Sequence, residues 1–92
     1  MNRDEATAIF RSLMTLCGLD STAVGQILGI HRVNVRHRMS GYTAVKPEEM
    51  DALADLWRRI DAGDDALTGA AAEHARAIQW VRERVRNGHK GD

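Results

Sequence analysis

The sequence predicts an all-α fold of four to five helices, and three observations carry that prediction. Apolar residues recur at intervals of three and four along most of the chain, the period of a helix with one buried face. No segment alternates apolar and polar residues as a half-buried strand does. Gly18, Gly29 and Gly41 fall where periodic segments stop, the usual place of a helix C-terminal cap. The chain has 92 residues, room for one domain or for a small domain plus an appended helix. A chain this short buries a modest core, so association into a dimer would add to its stability.

The first helix is expected over residues 4–17. Asp4 and Glu5 suit its positive N-terminal end; Ala6, Ile9, Phe10, Leu13, Leu16 and Cys17 form one apolar face, which Met14 widens. On that face Cys17 is a small core hydrophobe rather than a nucleophile. Asp20 can cap a second helix, Ser21–Leu28, by accepting from free N–H groups of its first turn. Val24, Ile27 and Leu28 point inward, and Gly25 sits where a neighbouring helix can approach closely. Gly29 is either a plain C-cap or the turn between two helices.

A third helix follows over residues 32–40, with His31 as a poor N-cap. Ile30 and Val35 face the core, while Arg32, Val33, Arg36, His37 and Ser40 share the opposite face. A helix of eight or nine residues is too weak to stand alone. It must be held from behind while it exposes arginines. Residues 42–46 form a loop, and Pro47 opens a fourth helix reaching about Asp61. Met50, Leu53, Ala54, Trp57 and Ile60 form its buried face. Glu48, Glu49 and Asp51 read as helix electrostatics and solubility rather than as a metal or catalytic cluster.

Residues 62–66 read as a short polar linker. Thr68 can cap a last helix over residues 69–86, ended by Asn87 and Gly88, with residues 88–92 frayed. Its stripe of Ala71, Ala75, Ile78, Val81 and Val85, widened by Ala77 and Trp80, lies beyond a four-helix core that looks complete. It needs a surface, either its own domain or a second subunit. The expected organisation is residues 1–61 as one domain and residues 62–92 as a linker and C-terminal helix. Ile78, Trp80, Val81 and Val85 are the candidate dimer contacts.

Formal net charge is zero, but it is unevenly spread. Residues 21–47 hold Arg32, Arg36, Arg38 and Lys46 and no acid, whereas residues 48–65 hold seven acids against Arg58 and Arg59. A basic block within a neutral chain is compatible with a nucleic-acid surface, though on charge alone it is more often just a solvated face. The single cysteine permits no intrachain disulfide, no run approaches the ~18 apolar residues of a membrane span, and no N-terminal apolar segment resembles a signal peptide. A cytoplasmic protein is expected. Cys17, His31, His37, His74 and His89 lack the spacing of a zinc site, and no phosphate loop, nucleophile elbow or paired catalytic carboxylates are present. No enzyme activity, metal or cofactor is expected.

Gly18-Leu19-Asp20, Gly25, Gly29-Ile30, Val35 and Gly41, followed by Pro47 and a further amphipathic helix, together resemble the Cro/lambda-repressor-like (XRE-type) helix-turn-helix family. The resemblance spans roughly residues 6–60 and leaves the last third uncovered. It implies a lambda-repressor-like helix-turn-helix domain with an additional C-terminal helix. The third helix would enter the DNA major groove and the second would lie across the backbone. On that alignment Arg32, Val33 and His37 match the family's usual base-reading positions, and Arg36 shares their side. Ser21 matches a usual phosphate contact, Ser40 shares the DNA-facing side, and Tyr42, Thr43 and Lys46 lie where the following loop touches the backbone. An arginine fork matches guanine O6 and N7, and a valine can meet a thymine methyl. Phosphate contacts such as Lys46 anchor without specifying.

Three positions depart from the family pattern. Gly25 replaces a commoner alanine, His31 replaces a Ser or Thr cap, and Arg38 occupies a position that is normally apolar and buried. Either the Arg38 stem covers core while its head reaches a phosphate, or the helix is rotated and Met39 fills the gap.

The expected function is that of a sequence-specific double-stranded-DNA-binding transcription regulator, a repressor acting as a homodimer on an inverted repeat. Its reading helices would stand about 34 Å apart. By analogy with small proteins of this family, an autoregulatory role in a phage or mobile-element operon is implied. The alternative is a helix-turn-helix protein-interaction module, such as an antitoxin or the partner of a phage protein.

Overall fold

The computed structural model describes residues 1–87, and these form five α-helices without a strand: α1 (Arg3–Cys17), α2 (Ser21–Leu28), α3 (Arg32–Met39), α4 (Pro47–Ala62) and α5 (Gly69–Asn87). The expectations for Gly88–Asp92, including His89, lie outside the described residues. No helix among the described residues is long and apolar enough to cross a membrane.

Local chemistry sets the boundaries. Asn2 Oδ1 accepts from Glu5 N–H at 2.8 Å and starts α1; Asp20 Oδ1 accepts from Ala23 N–H at 2.9 Å and starts α2. At α3 the His31 ring serves the same end, its Nδ1 accepting from Val33 N–H at 3.1 Å, a role open only to neutral imidazole. Gly29 takes φ +71°, the left-handed conformation that costs glycine least. The Ile30 N–H then bonds back to Gly25 O at 2.9 Å and closes the turn.

One core joins all five helices. Phe10, Met14 and Cys17 come from α1, Val24 from α2, Val35 from α3, Leu53, Leu56 and Ile60 from α4, and Ala71 and Ala75 from α5, with Leu19 and Val45 from the connections. Helix α1 packs on α4 and α3, α2 on α3, and α4 on α5. Several expected core positions are corrected. Ile9, Leu16 and Ile27 are exposed, and so is Ala54, while Met14 and Leu56 are buried. The apolar stripes are wider than the faces their neighbours cover, so packing settles on Phe10–Met14–Cys17 and on Leu53–Leu56–Ile60. Burial raises the Cys17 thiol pKa, and its Sγ points to Leu53 O at 3.5 Å. Cys17 is thus a core residue.

The first half of α5 closes this core rather than standing apart from it. His74 Nε2 donates to Leu16 O at 2.8 Å, tying α5 to the end of α1. Gln79 Nε2 donates to Ile60 O at 3.3 Å and Asp61 O at 3.0 Å, satisfying the last carbonyls of α4. Arg82 pairs with Asp61 at the same end. Beyond these ties, every residue from Trp80 to Asn87 is exposed.

Candidate nucleic-acid interface

Helix α3 divides sharply into two sides. Val35 is fully buried and Arg38 is buried, whereas Arg32, Val33, Arg36 and Ser40 are exposed and His37 is half-buried. Successive residues turn by about 100°, so the five residues expected on the outer face do lie together there. The His37 ring packs against Tyr42, with centroids 4.8 Å apart and planes at 55°. Tyr42 itself is 77 % exposed at the rim of this face. Arg32, Arg36 and Lys46 enter no salt bridge among the described residues.

Helix α2 and the turn hold α3 in place. Gly25 is buried, and a Cβ there would sit 2.6 Å from Ile30 O. The close neighbour is therefore the backbone of the turn itself. Ser21, the first residue of α2, is half-buried. Thr43 is half-buried too, and its N–H bonds to His37 O at 3.1 Å, folding the loop back onto the end of α3.

One expected backbone contact is corrected. Arg38 does not reach outward: its Nε donates to Glu49 Oε1 at 2.8 Å and its Nη1 to Asn34 O at 3.0 Å. Arg38 and Glu49 are each 7 % exposed, so this guanidinium is spent inside the fold. Met39 also packs against the core, half-buried; α3 accommodates both positions. Ser40 Oγ donates to His37 O at 3.1 Å and accepts from Tyr42 N–H at 3.4 Å. Ser40 itself stays exposed beside the turn.

Glu49 was legible only as a first-turn acid of α4, and it is that too. Its Oε1 also accepts the Lys46 N–H at 2.9 Å. Burial raises the pKa of its carboxyl, but hydrogen bonds from Arg38 and the Lys46 backbone, with the positive charge of both residues, outweigh burial and hold it below its ordinary value. The signal in the sequence was Arg38 itself, since a buried arginine requires a buried acceptor. Arg3 was missed altogether. Its guanidinium donates to Tyr42 O at 3.0 Å, bringing a cation from the start of α1 to the loop beside α3, across 39 positions of sequence.

The candidate dimer residues divide as well. Ile78 is half-buried and packs against the protein's own core, whereas Trp80, Val81 and Val85 are 58 %, 49 % and 70 % exposed. The Arg84 guanidinium stacks on the Trp80 ring, 4.6 Å from its centroid. Among the described residues no three of His, Cys, Asp and Glu gather as a metal-binding group. No protein-family model matches the chain, and no curated protein or solved structure matches it significantly.

Proposed function

We propose that α2 and α3 form a helix-turn-helix of the lambda-repressor-like kind and that the protein is a sequence-specific regulator of double-stranded DNA, most simply a repressor. One observation carries this reading: a two-turn helix buries Val35 and Arg38 and leaves Arg32, Val33, Arg36 and His37 together on its outer face. Arg32 opens so short a helix, where a cation opposes the helix dipole, whereas an exposed arginine there suits a major groove. Arg32 and Arg36 are assigned to bases, with Val33 against a thymine methyl, and Lys46 and Arg3 to phosphates.

A salt titration of duplex binding by fluorescence anisotropy tests it. Each phosphate contact steepens the slope of log K against log salt by about 0.9, so several contacts give a steep fall. Absence of binding at low salt overturns the reading. Arg32→Ala is expected to cost about 1–3 kcal/mol on the preferred site and to relax the base preference at one position. Equal weakening on random and preferred DNA would reassign Arg32 to a phosphate.

The exposed end of α5 supports the homodimer in this reading. Among the described residues Trp80, Val81 and Val85 are exposed and do not pack against the core, and two-fold pairing would bury them. Trp80→Ala with Val85→Ala touches no core residue, so the fold is retained and the mass by light scattering falls towards that of the monomer. An unchanged mass removes α5 from the interface.

A further inference from the structure

Helix α3 faces a mechanical problem. It has only two turns, and Val35 is its one fully buried apolar anchor. Positions 38 and 39 both turn inward, Arg38 buried and Met39 half-buried against the core. Adjacent helical residues differ by about 100°. Were both apolar, α3 could seat either one and rotate its outer face accordingly, because apolar burial is non-directional. A guanidinium is directional, a planar fork that requires acceptors at set distances and angles.

Those acceptors come from separate elements. Arg38 Nε meets Glu49 Oε1 at 2.8 Å and Nη1 meets Asn34 O at 3.0 Å. The same Glu49 Oε1 takes the Lys46 N–H at 2.9 Å, at the point where the loop becomes α4. One carboxylate oxygen therefore ties α3, the end of the 42–46 loop and the first turn of α4 together.

We infer that the buried Arg38–Glu49 pair is a positioning device that sets the rotation of α3 about its own axis. It thereby selects which of Arg32, Val33, Arg36 and His37 meet bases, without touching DNA. The statement about bases rests on the DNA-binding reading; the rotational lock does not. Stability alone does not call for such a pair, since apolar replacements of similar volume are often neutral or stabilising. That difference separates the two roles by experiment.

The test is the double variant Arg38→Met, Glu49→Leu. Amide hydrogen exchange across α3 and residues 41–46 is measured in the free protein. Binding is measured to a duplex carrying a site selected from random DNA and to a scrambled duplex of equal length. The variant is expected to melt no earlier than the wild type, with α3 amides exchanging about tenfold faster. Preference for the selected site falls about tenfold or more, while affinity for scrambled DNA changes less than about threefold because the exposed cations remain. Wild-type exchange in the folded variant overturns the lock. Faster exchange with unchanged preference overturns its consequence for base reading. A wild type that binds neither duplex sinks the DNA reading, and exchange alone then decides the lock. If the double variant does not fold, Glu49→Gln keeps an acceptor oxygen and removes the charge. Faster exchange confined to α3 and residues 41–46 supports the lock, and uniform acceleration across all helices overturns it.

Discussion

Glu49→Ala is expected to destabilise the fold by about 3–5 kcal/mol, the cost of leaving a buried charge without its partner. Arg38 would keep its bond to Asn34 O but lose its Glu49 carboxylate, and the Lys46 N–H would lose its acceptor. Stability of a small domain is about 5–15 kcal/mol in total, and 1 kcal/mol moves the melting midpoint by about 4–8 °C at this size. Calorimetry should therefore show a fall of more than ten degrees. The loss depends on pH with a definite sign. The Glu49 carboxyl is held below its ordinary value in the folded protein, so its contribution is complete above the ordinary value of the unfolded carboxyl. It disappears as the pH falls through the lower folded value. The gap between wild type and variant should thus be widest near neutrality and narrow in acid. A gap that does not change with pH would show that the Glu49 charge contributes nothing.

Gly25→Val is expected to cost more than about 3 kcal/mol, from overpacking against an element that cannot move aside. The obstacle is the Ile30 carbonyl oxygen, 2.6 Å from the position of a Cβ, with Arg32 N at 3.4 Å behind it. Both are backbone atoms of the α2–α3 turn, and no rotamer change relieves the contact. Opening the gap would also strain the Ile30 N–H bond to Gly25 O. Gly25→Ala sharpens the test, because alanine in a helix interior ordinarily gains about 1 kcal/mol over glycine. Here the sign should reverse. Gly29 behaves differently: nothing lies within 4 Å of its Cβ position, so Gly29→Ala costs only the left-handed conformation, about 1–2 kcal/mol. If thermal melts rank Gly29→Ala above Gly25→Ala in damage, the close approach at Gly25 is not limiting.

Much of this architecture was legible in the residues. Asp20, Gly29 and Pro47 act through their own backbone and nearest neighbours, so the boundaries of α2 and the start of α4 could be placed within the sequence. The outer face of α3 was legible for the same reason, since helical periodicity alone brings Arg32, Val33, Arg36 and His37 to one side. Periodicity could not say which edge of a broad apolar stripe would be covered. Ile9 and Leu16 on α1 satisfy the same spacing as Phe10 and Cys17, yet only the latter are buried in the core. Arg3 beside Tyr42 is a contact across 39 positions that no local pattern encodes.

The amino-acid sequence by itself determined the helical segments, the caps at Gly18, Asp20 and Gly29 and the basic outer face of α3, because each follows from interactions within a few residues. Tertiary structure decided the fate of Arg38, which turned from a candidate phosphate contact into the buried partner of Glu49. It also divided α5 into a half that closes the core and a half left bare. Both outcomes depend on what lies opposite a side chain, and a chain read one residue at a time does not contain that.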